Sequence, residues 1–357
     1  MKKNICIFGI IMAMMFGLVA CGTEQTVANE VSSSEQESVD ETTEAPEEVA
    51  KYPLTITDQA GREVVINSKP ERLVSCYYIT TSAFLALGLE EQIAGLESNP
   101  EKRNLYKICS PNLLKKAQVG SPKEFDLEAC AALNPDLVVL PMRAKDMVEP
   151  LEQLGIPVMV VNPESQADII EMLKLIGVAA DCSKRADELT DYILGKVDSL
   201  KEKTADCERP LVYLGGNSDF LSTASKGMYQ NDLISLAGGQ NVAGEIDDTY
   251  WVQSSYEQIL DWNPQVIAMA SEAKYSMDEV MTDSNLQDCR AIKDNKVYQI
   301  PADIEAWDSP VPSGFLGAVY LASVLHPDLV SVAEYENTVE EYYEMFYGFS
   351  YAEKKNN

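Results

Sequence analysis

Two stretches of this 357-residue chain repeat one another in register. Asp126-Leu127-Glu128 leads through Leu133-Asn134-Pro135-Asp136 into Leu137-Val138-Val139, and Ser255-Tyr256-Glu257 leads through Trp262-Asn263-Pro264-Gln265 into Val266-Ile267-Ala268. Proline lacks a backbone N–H and disfavours helical geometry in the residue before it, so each Asn-Pro stops a short helix and starts an apolar strand. A looser match sets Leu87-Gly88 and Ile93-Ala94-Gly95 beside Ala237-Gly238 and Val242-Ala243-Gly244. Two variants of one unit imply two lobes with a cleft between them. The length agrees, since one hydrophobic core usually stops growing before this size.

Strand and helix patterns alternate from residue 51 onward, which specifies α/β lobes built on parallel sheets. An opening hairpin spans 54–67. The patterns predict strands over 73–78, 93–97, 136–141 and 157–162 and helices over 81–87, 127–133 and 144–154, which together form an N-terminal lobe over 51–164. Residues 165–204 follow, with an apolar helical period through Ile169, Leu173, Ile176, Ala180, Leu189, Ile193, Val197 and Leu200 and no proline. One helix of that length would be roughly 55–60 Å long and would act as a strut between lobes; the alternative is two helices broken near Asp181-Cys182-Ser183. A C-terminal lobe occupies 205–357.

The first fifty residues carry an address. Lys2 and Lys3 precede an apolar run from Ile5 to Val19, the layout of a secretory signal over 1–20. Leu18-Val19-Ala20-Cys21-Gly22 resembles the bacterial lipobox, which implies lipidation of Cys21 and anchoring to the outer face of the cytoplasmic membrane; two acyl chains suffice for stable attachment. Between Gly22 and Ala50 the chain holds nine Asp or Glu and no Lys or Arg. Such a segment buries too little apolar surface to fold. It reads, over 21–50, as a disordered tether spanning roughly 30 Å.

The net charge of −29 repels a phosphate backbone, which excludes nucleic-acid partners. The one histidine, His326, excludes sites that need several imidazoles and reads as structural. No Gly-x-Ser-x-Gly elbow, His-Glu-x-x-His helix or nucleotide-binding glycine loop occurs, so the chain reads as a non-enzyme without an intrinsic cofactor or resident metal. Once the signal is removed and Cys21 is lipidated, Cys76, Cys109, Cys130, Cys182, Cys207 and Cys289 remain. Their spacing suits mostly free thiols, with Cys182–Cys207 the most plausible bridge.

Pro70-Glu71-Arg72-Leu73-Val74-Ser75, Leu87-Gly88, Ala94-Gly95, the two Asn-Pro repeats, Leu236-Ala237-Gly238-Gly239-Gln240-Asn241-Val242 and Leu325-His326-Pro327 occur in an order that resembles the solute-binding lipoproteins of iron-complex and cobalamin ABC importers. The resemblance covers about residues 52–346. It implies a class III periplasmic-binding-protein-like fold, two α/β lobes joined by one long helix, and a monomer that delivers its ligand to an ABC permease dimer with its ATPase. It further implies that Glu128 and Glu257, one on each lobe, dock arginines of the permease. Acids in a helix's first turn also serve the dipole and solvation.

Ligand contacts belong on strand ends and the loops after them. That rule selects Tyr77, Tyr78, Glu97 and Arg143 in the first lobe and Asn217, Tyr250, Trp251 and Trp307 in the second. With Arg143 the only obvious basic side chain at the cleft, a neutral or weakly charged chelate is expected: a hydroxamate iron-siderophore, a corrinoid or another metal chelate. A surface scavenger or sensor of haem or a metal chelate, working without a permease, is the alternative.

Overall fold

The computed structural model describes residues 52–248 and 250–355. The signal segment, Cys21 and the acidic tether lie outside the described residues. Strands β1 (Leu54–Thr57) and β2 (Glu63–Ile66) pair as the expected hairpin, Leu54 opposite Ile66. Asp58 in its turn accepts the Val160 N–H at 3.0 Å, which ties the hairpin to the first lobe.

That lobe comprises β3 (Leu73–Val74), α1 (Tyr78–Ala86), β4 (Ile93–Leu96), α2 (Asn104–Cys109), β5 (Ala117–Gln118), a small hairpin β6 (Gly120–Ser121) and β7 (Glu124–Phe125), α3 (Leu127–Ala132), β8 (Leu137–Pro141), α4 (Val148–Gln153) and β9 (Val158–Val161). The sheet order is β5-β4-β3-β8-β9, and every pair in it is parallel. The chain winds outward from β3 in one direction and from β8 in the other. The boundary between those two strands is therefore the topological switch point, outside whose carboxyl ends open α/β sheets bind ligands.

The expected long helix is two helices, α5 (Gln166–Ala179) and α6 (Ser183–Lys203). Asp181 adopts left-handed geometry with φ 56°, the Cys182 N–H bonds the Gly177 carbonyl at 2.8 Å, and the Asp181 N–H turns to Val178 at 3.4 Å. This is a Schellman stop. Aspartate tolerates left-handed geometry because its short polar side chain compensates locally. The hydrophobic period runs on because both helices face the same core. A Cβ on Gly177 would meet the Ala186 Cβ at 2.5 Å, so glycine lets the two helices close against each other.

The second lobe holds β10 (Leu211–Gly215), β11 (Ser222–Ala224), α7 (Tyr229–Leu236), β12 (Gln240–Asn241), β13 (Trp251–Gln253), α8 (Tyr256–Trp262), β14 (Val266–Met269), α9 (Met277–Thr282), α10 (Arg290–Lys293), β15 (Val297–Gln299), α11 (Phe315–Leu325), α12 (Val332–Tyr347) and α13 (Tyr351–Lys354). Its sheet runs β13-β11-β10-β14-β15, with β12 beside β10. Strands β12, β10, β14 and β15 are parallel, and β11 and β13 form an antiparallel edge.

One apolar cluster passes from Leu73, Leu137 and Met159 of the first sheet through α5 and α6 to Val212, Leu214 and Val266 of the second. Helix α12 packs on both α11 and α1, and Arg185 of α6 bonds the carbonyls of Ala86 and Phe346 at 3.2 and 2.8 Å. The lobes thus share a core rather than meeting at a bare hinge. All six described cysteines are free. The Cys182–Cys207 pairing, singled out as the most plausible bridge among mostly free thiols, is ruled out by geometry, because these residues flank opposite ends of α6, whose 21 residues extend about 32 Å.

Candidate functional site: a cleft between the lobes

The strand predicted over 73–78 stops at Val74, and Tyr78 opens α1. Tyr77 and Tyr78 therefore leave the end of β3 as neighbouring rings, edge to face, with centroids 5.8 Å apart. Arg143, two residues beyond β8, lies over the Tyr77 ring at 5.4 Å. Arg103, at the start of α2, lies over the Tyr78 ring at 3.8 Å. The result is a row at the switch point: guanidinium, ring, ring, guanidinium. Each cation faces the negative quadrupole of a ring.

The second lobe meets this row directly. The Tyr78 hydroxyl donates to Ser309 Oγ at 2.9 Å, Arg103 Nη1 contacts Glu272 at 3.4 Å, and Asn104 Nδ2 donates to the Asp303 carbonyl at 2.9 Å. These three contacts close the lobes over a cleft bordered by Ser82, Arg103 and Tyr106 on one side and Glu272, Ile304 and Glu305 on the other. The space not filled by atoms is about 400 Å³, solvent at the mouth included. The cavity volume proper is about 40 Å³, room for a few water-sized groups and well below that of ordinary ligand pockets.

Two buried carboxyls attend the cleft, Glu97 behind its wall and Glu305 in it. Glu97 accepts the Thr81 and Tyr106 hydroxyls at 2.7 Å each, and burial raises its pKa against those bonds. It thereby fixes Tyr106 at the cleft wall. Glu305, 7 % exposed, accepts Ser313 Oγ at 2.7 Å and the Tyr343 hydroxyl at 3.2 Å, both on Oε2. Burial pushes its pKa up to about 7, even though Ser313, Ser82, Tyr343 and Arg103 favour the charged form.

Of the residues selected from the sequence, Tyr77, Tyr78 and Arg143 come together at the switch point, where Tyr78 borders the cleft and Tyr77 and Arg143 do not, and Glu97 supports the cleft from behind. Trp307 does not face ligand: it is 1 % exposed, donates Nε1–H to the Tyr343 hydroxyl at 3.2 Å and lies 5.5 Å from the Tyr351 ring. A large aromatic in a loop needs either a ligand or a core, and here it has a core with a partner for its N–H. Its neighbours Ile304, Glu305 and Ala306 line the cleft, and Ser309 meets the Tyr78 hydroxyl beside it. Asn217 sits in the loop after β10, where its carbonyl accepts the Lys274 N–H at 2.9 Å and its buried Oδ1 has no partner among the described residues. Tyr250 is 61 % exposed, and Trp251 covers Gly216, where a Cβ would come within 3.0 Å of the indole. Neither borders the cleft.

The sequence reading missed Ser82, Arg103, Asn104, Tyr106, Glu272, Glu305 and Ser309. The available signal was positional: Lys102-Arg103 follows the same strand end that pointed to Glu97.

The repeated units keep their equivalence. Asp126 accepts the Ala129 N–H at 2.9 Å and Ser255 the Gln258 N–H at 3.2 Å, each capping its helix. Asn134 and Asn263 both take left-handed geometry, with φ 48° and 44°, before their prolines. Glu128 and Glu257 are exposed in the first turns of α3 and α8. Backbone and Ser255 hydrogen bonds hold the Glu257 carboxyl below its ordinary pKa.

The sequence profile described as periplasmic binding protein matches residues 73–304. The molybdate-binding protein MolA of Haemophilus influenzae is 29% identical over 324 residues, 83% of this chain and 91% of that one. Its molybdate-bound structure superposes with a TM-score of 0.73 at 25% identity, covering 84% of this chain and 99% of that chain. An uncharacterized ABC transporter substrate-binding lipoprotein of Bacillus subtilis, YvrC, is 26% identical over 337 residues, 92% of this chain and 99% of that one. A vitamin B12-binding protein of Salmonella paratyphi A is 31% identical over 170 residues, 47% of this chain and 64% of that one. With two lobes, a shared core and a cleft at the switch point, the chain belongs to the periplasmic binding protein family and is a substrate-binding protein of the ABC-importer class.

Proposed function

We propose that this protein captures a small anion, an oxyanion or a compact anionic metal complex, outside the cell and hands it to a membrane permease. The observation that carries the reading is the row of Arg103, Tyr78, Tyr77 and Arg143 at the switch point, whose Arg103 end borders the small closed cleft. Two guanidiniums held on ring faces are pre-oriented donors for oxygen ligands. The neutral chelate expected from Arg143 alone loses its basis because Arg103 and Lys102 line the cleft. The name of the Haemophilus relative points the same way. Binding requires no chemistry on the ligand, and the protein acts as a carrier.

Cys21 supplies the lipid anchor, and Glu128 and Glu257 offer one acid per lobe to a two-fold permease. Both acids are exposed, carried on equivalent capped helices and uninvolved in the cleft.

A corrinoid or iron-siderophore is the second reading, supported by the likeness to vitamin B12-binding proteins. It requires the Tyr78–Ser309, Arg103–Glu272 and Asn104–Asp303 contacts to open. Calorimetric titration with molybdate, tungstate, phosphate, cobalamin, and ferric hydroxamate and catecholate complexes separates the two. Saturable one-to-one binding of an oxyanion alone supports the first reading. Binding of cobalamin or a siderophore with no oxyanion response replaces it with the second. Ligand binding without dependence of uptake on a permease would support the scavenger.

A further inference from the structure

Glu305 lines the cleft, and both of its short hydrogen bonds fall on one oxygen. Oε2 accepts two hydroxyl donors, Ser313 from the segment before α11 and Tyr343 from α12. Oε1 is buried and has no partner within hydrogen-bond distance among the described residues, with the Ser82 hydroxyl of the opposite wall near enough to favour the charged form. An unsatisfied buried carboxylate oxygen costs free energy comparable to a lost charged hydrogen bond, so its position in a cleft wall needs a reason. Two oxygen acceptors, a carboxylate and a bound anion, repel unless a proton lies between them.

We infer that Glu305 receives the bound anion as a neutral acid, donating the O–H of Oε1 to a ligand oxygen, so that in alkaline solution each anion captured brings one proton with it. The inference rests on the reading of the cleft as an anion site. Arg103 then supplies charge and Glu305 a neutral donor, a pairing that selects ligands with at least one acceptor oxygen free of its metal or central atom's other contacts.

The surroundings allow this. Arg103 is the cation that faces Glu305 from the first lobe. Cys109 of α2 and Tyr342, Tyr343 and Tyr347 of α12 also feel its charge, and each has its own pKa raised chiefly by burial. All four are therefore neutral near neutral pH, and Glu305 is the group able to change protonation there. The value of about 7 in the empty cleft means that a neighbouring negative charge needs only to tip an existing balance.

The test is calorimetric titration of the purified protein with sodium molybdate between pH 6 and pH 9, repeated in buffers of different ionisation enthalpy to count protons. In the wild type, affinity is expected to fall about tenfold for each pH unit above roughly 7, with uptake approaching one proton per molybdate at high pH. Glu305→Gln keeps an acceptor for Ser313 and an N–H donor for the cleft. Its molybdate affinity is expected to lose that pH dependence and its proton uptake to vanish. Infrared spectra of the ligand-free wild type near pH 6 should show a protonated-carboxyl band that Glu305→Gln lacks, a readout independent of ligand and of any loss of stability. Molybdate binding with no proton uptake overturns this inference and leaves the anion site standing. Failure of molybdate to bind at any pH overturns the anion site and this inference with it.

Discussion

Replacing Arg103 by alanine tests the proposed site at its most specific point. An anion about 4 Å from a guanidinium gains about 4 kcal/mol at an effective dielectric constant near 20. From this must be subtracted the existing contact with Glu272, a pair whose side chains are 29% and 52% exposed, which contributes only about 0.5–1 kcal/mol. Desolvating the guanidinium takes a similar amount, although the Tyr78 ring at 3.8 Å already shields one face. A net loss of about 2–3 kcal/mol remains, in line with hydrogen bonds to charged groups. Arg103→Ala is therefore expected to bind molybdate about 30- to 150-fold more weakly by isothermal titration. Glu272→Gln, which removes a competing carboxylate, is expected to tighten binding a few-fold. An Arg103→Ala affinity within about threefold of wild type, measured where the wild type binds, would refute the assignment of the cleft.

Four further outcomes follow from the same geometry. Charge reversal at both Glu128 and Glu257 is expected to abolish uptake in cells while leaving titrated affinity intact; wild-type uptake in the double variant would remove the docking role. Trp307→Ala is expected to cost roughly 3–5 kcal/mol of stability through the cavity it leaves, seen as a melting midpoint lower by several degrees, whereas a ligand-contact role predicts loss of affinity without that drop. Reduction is expected to leave the melting midpoint of the folded protein unchanged, and alkylation after unfolding in the absence of reductant should label both Cys182 and Cys207. A carboxyl whose native pKa lies above its unfolded value binds protons more tightly when folded, so Glu305 stabilises the protein most at low pH and loses that contribution as pH rises from about 4.5 through about 7. Wild type minus Glu305→Gln in urea denaturation should then change by up to about 3 kcal/mol across that window and stay flat above it.

The sequence revealed the parts of this protein that punctuation controls. Asn134-Pro135 and Asn263-Pro264 stop their helices by covalent chemistry, and the repeat, the parallel sheets and the two exposed glutamates followed from them. The stop at Asp181 was hidden because it depends on a left-handed aspartate rather than on glycine or proline, while the apolar period continues across it. Arg103 escaped for another reason. Residues 98–116 form single helical turns and one six-residue helix, too short to show a period, and their role comes from packing against the second lobe. Trp307 was located correctly in sequence but misassigned in space, because a loop aromatic looks the same whether it faces a cleft or the Tyr343 and Tyr351 rings beneath it. Glu305, two residues away, was the more informative side chain.

The continuous core between the lobes bears on traffic at the membrane. A carrier hinged on a bare linker would move the two acids proposed for docking apart when empty, and a permease could refuse it by span alone. Here α5, α6 and α12 hold both lobes against shared side chains, so Glu128 and Glu257 are expected to keep nearly the same separation with or without cargo. Empty carriers would then queue at the same gate as loaded ones, and raising the number of carriers without raising the supply of ligand would slow import rather than speed it.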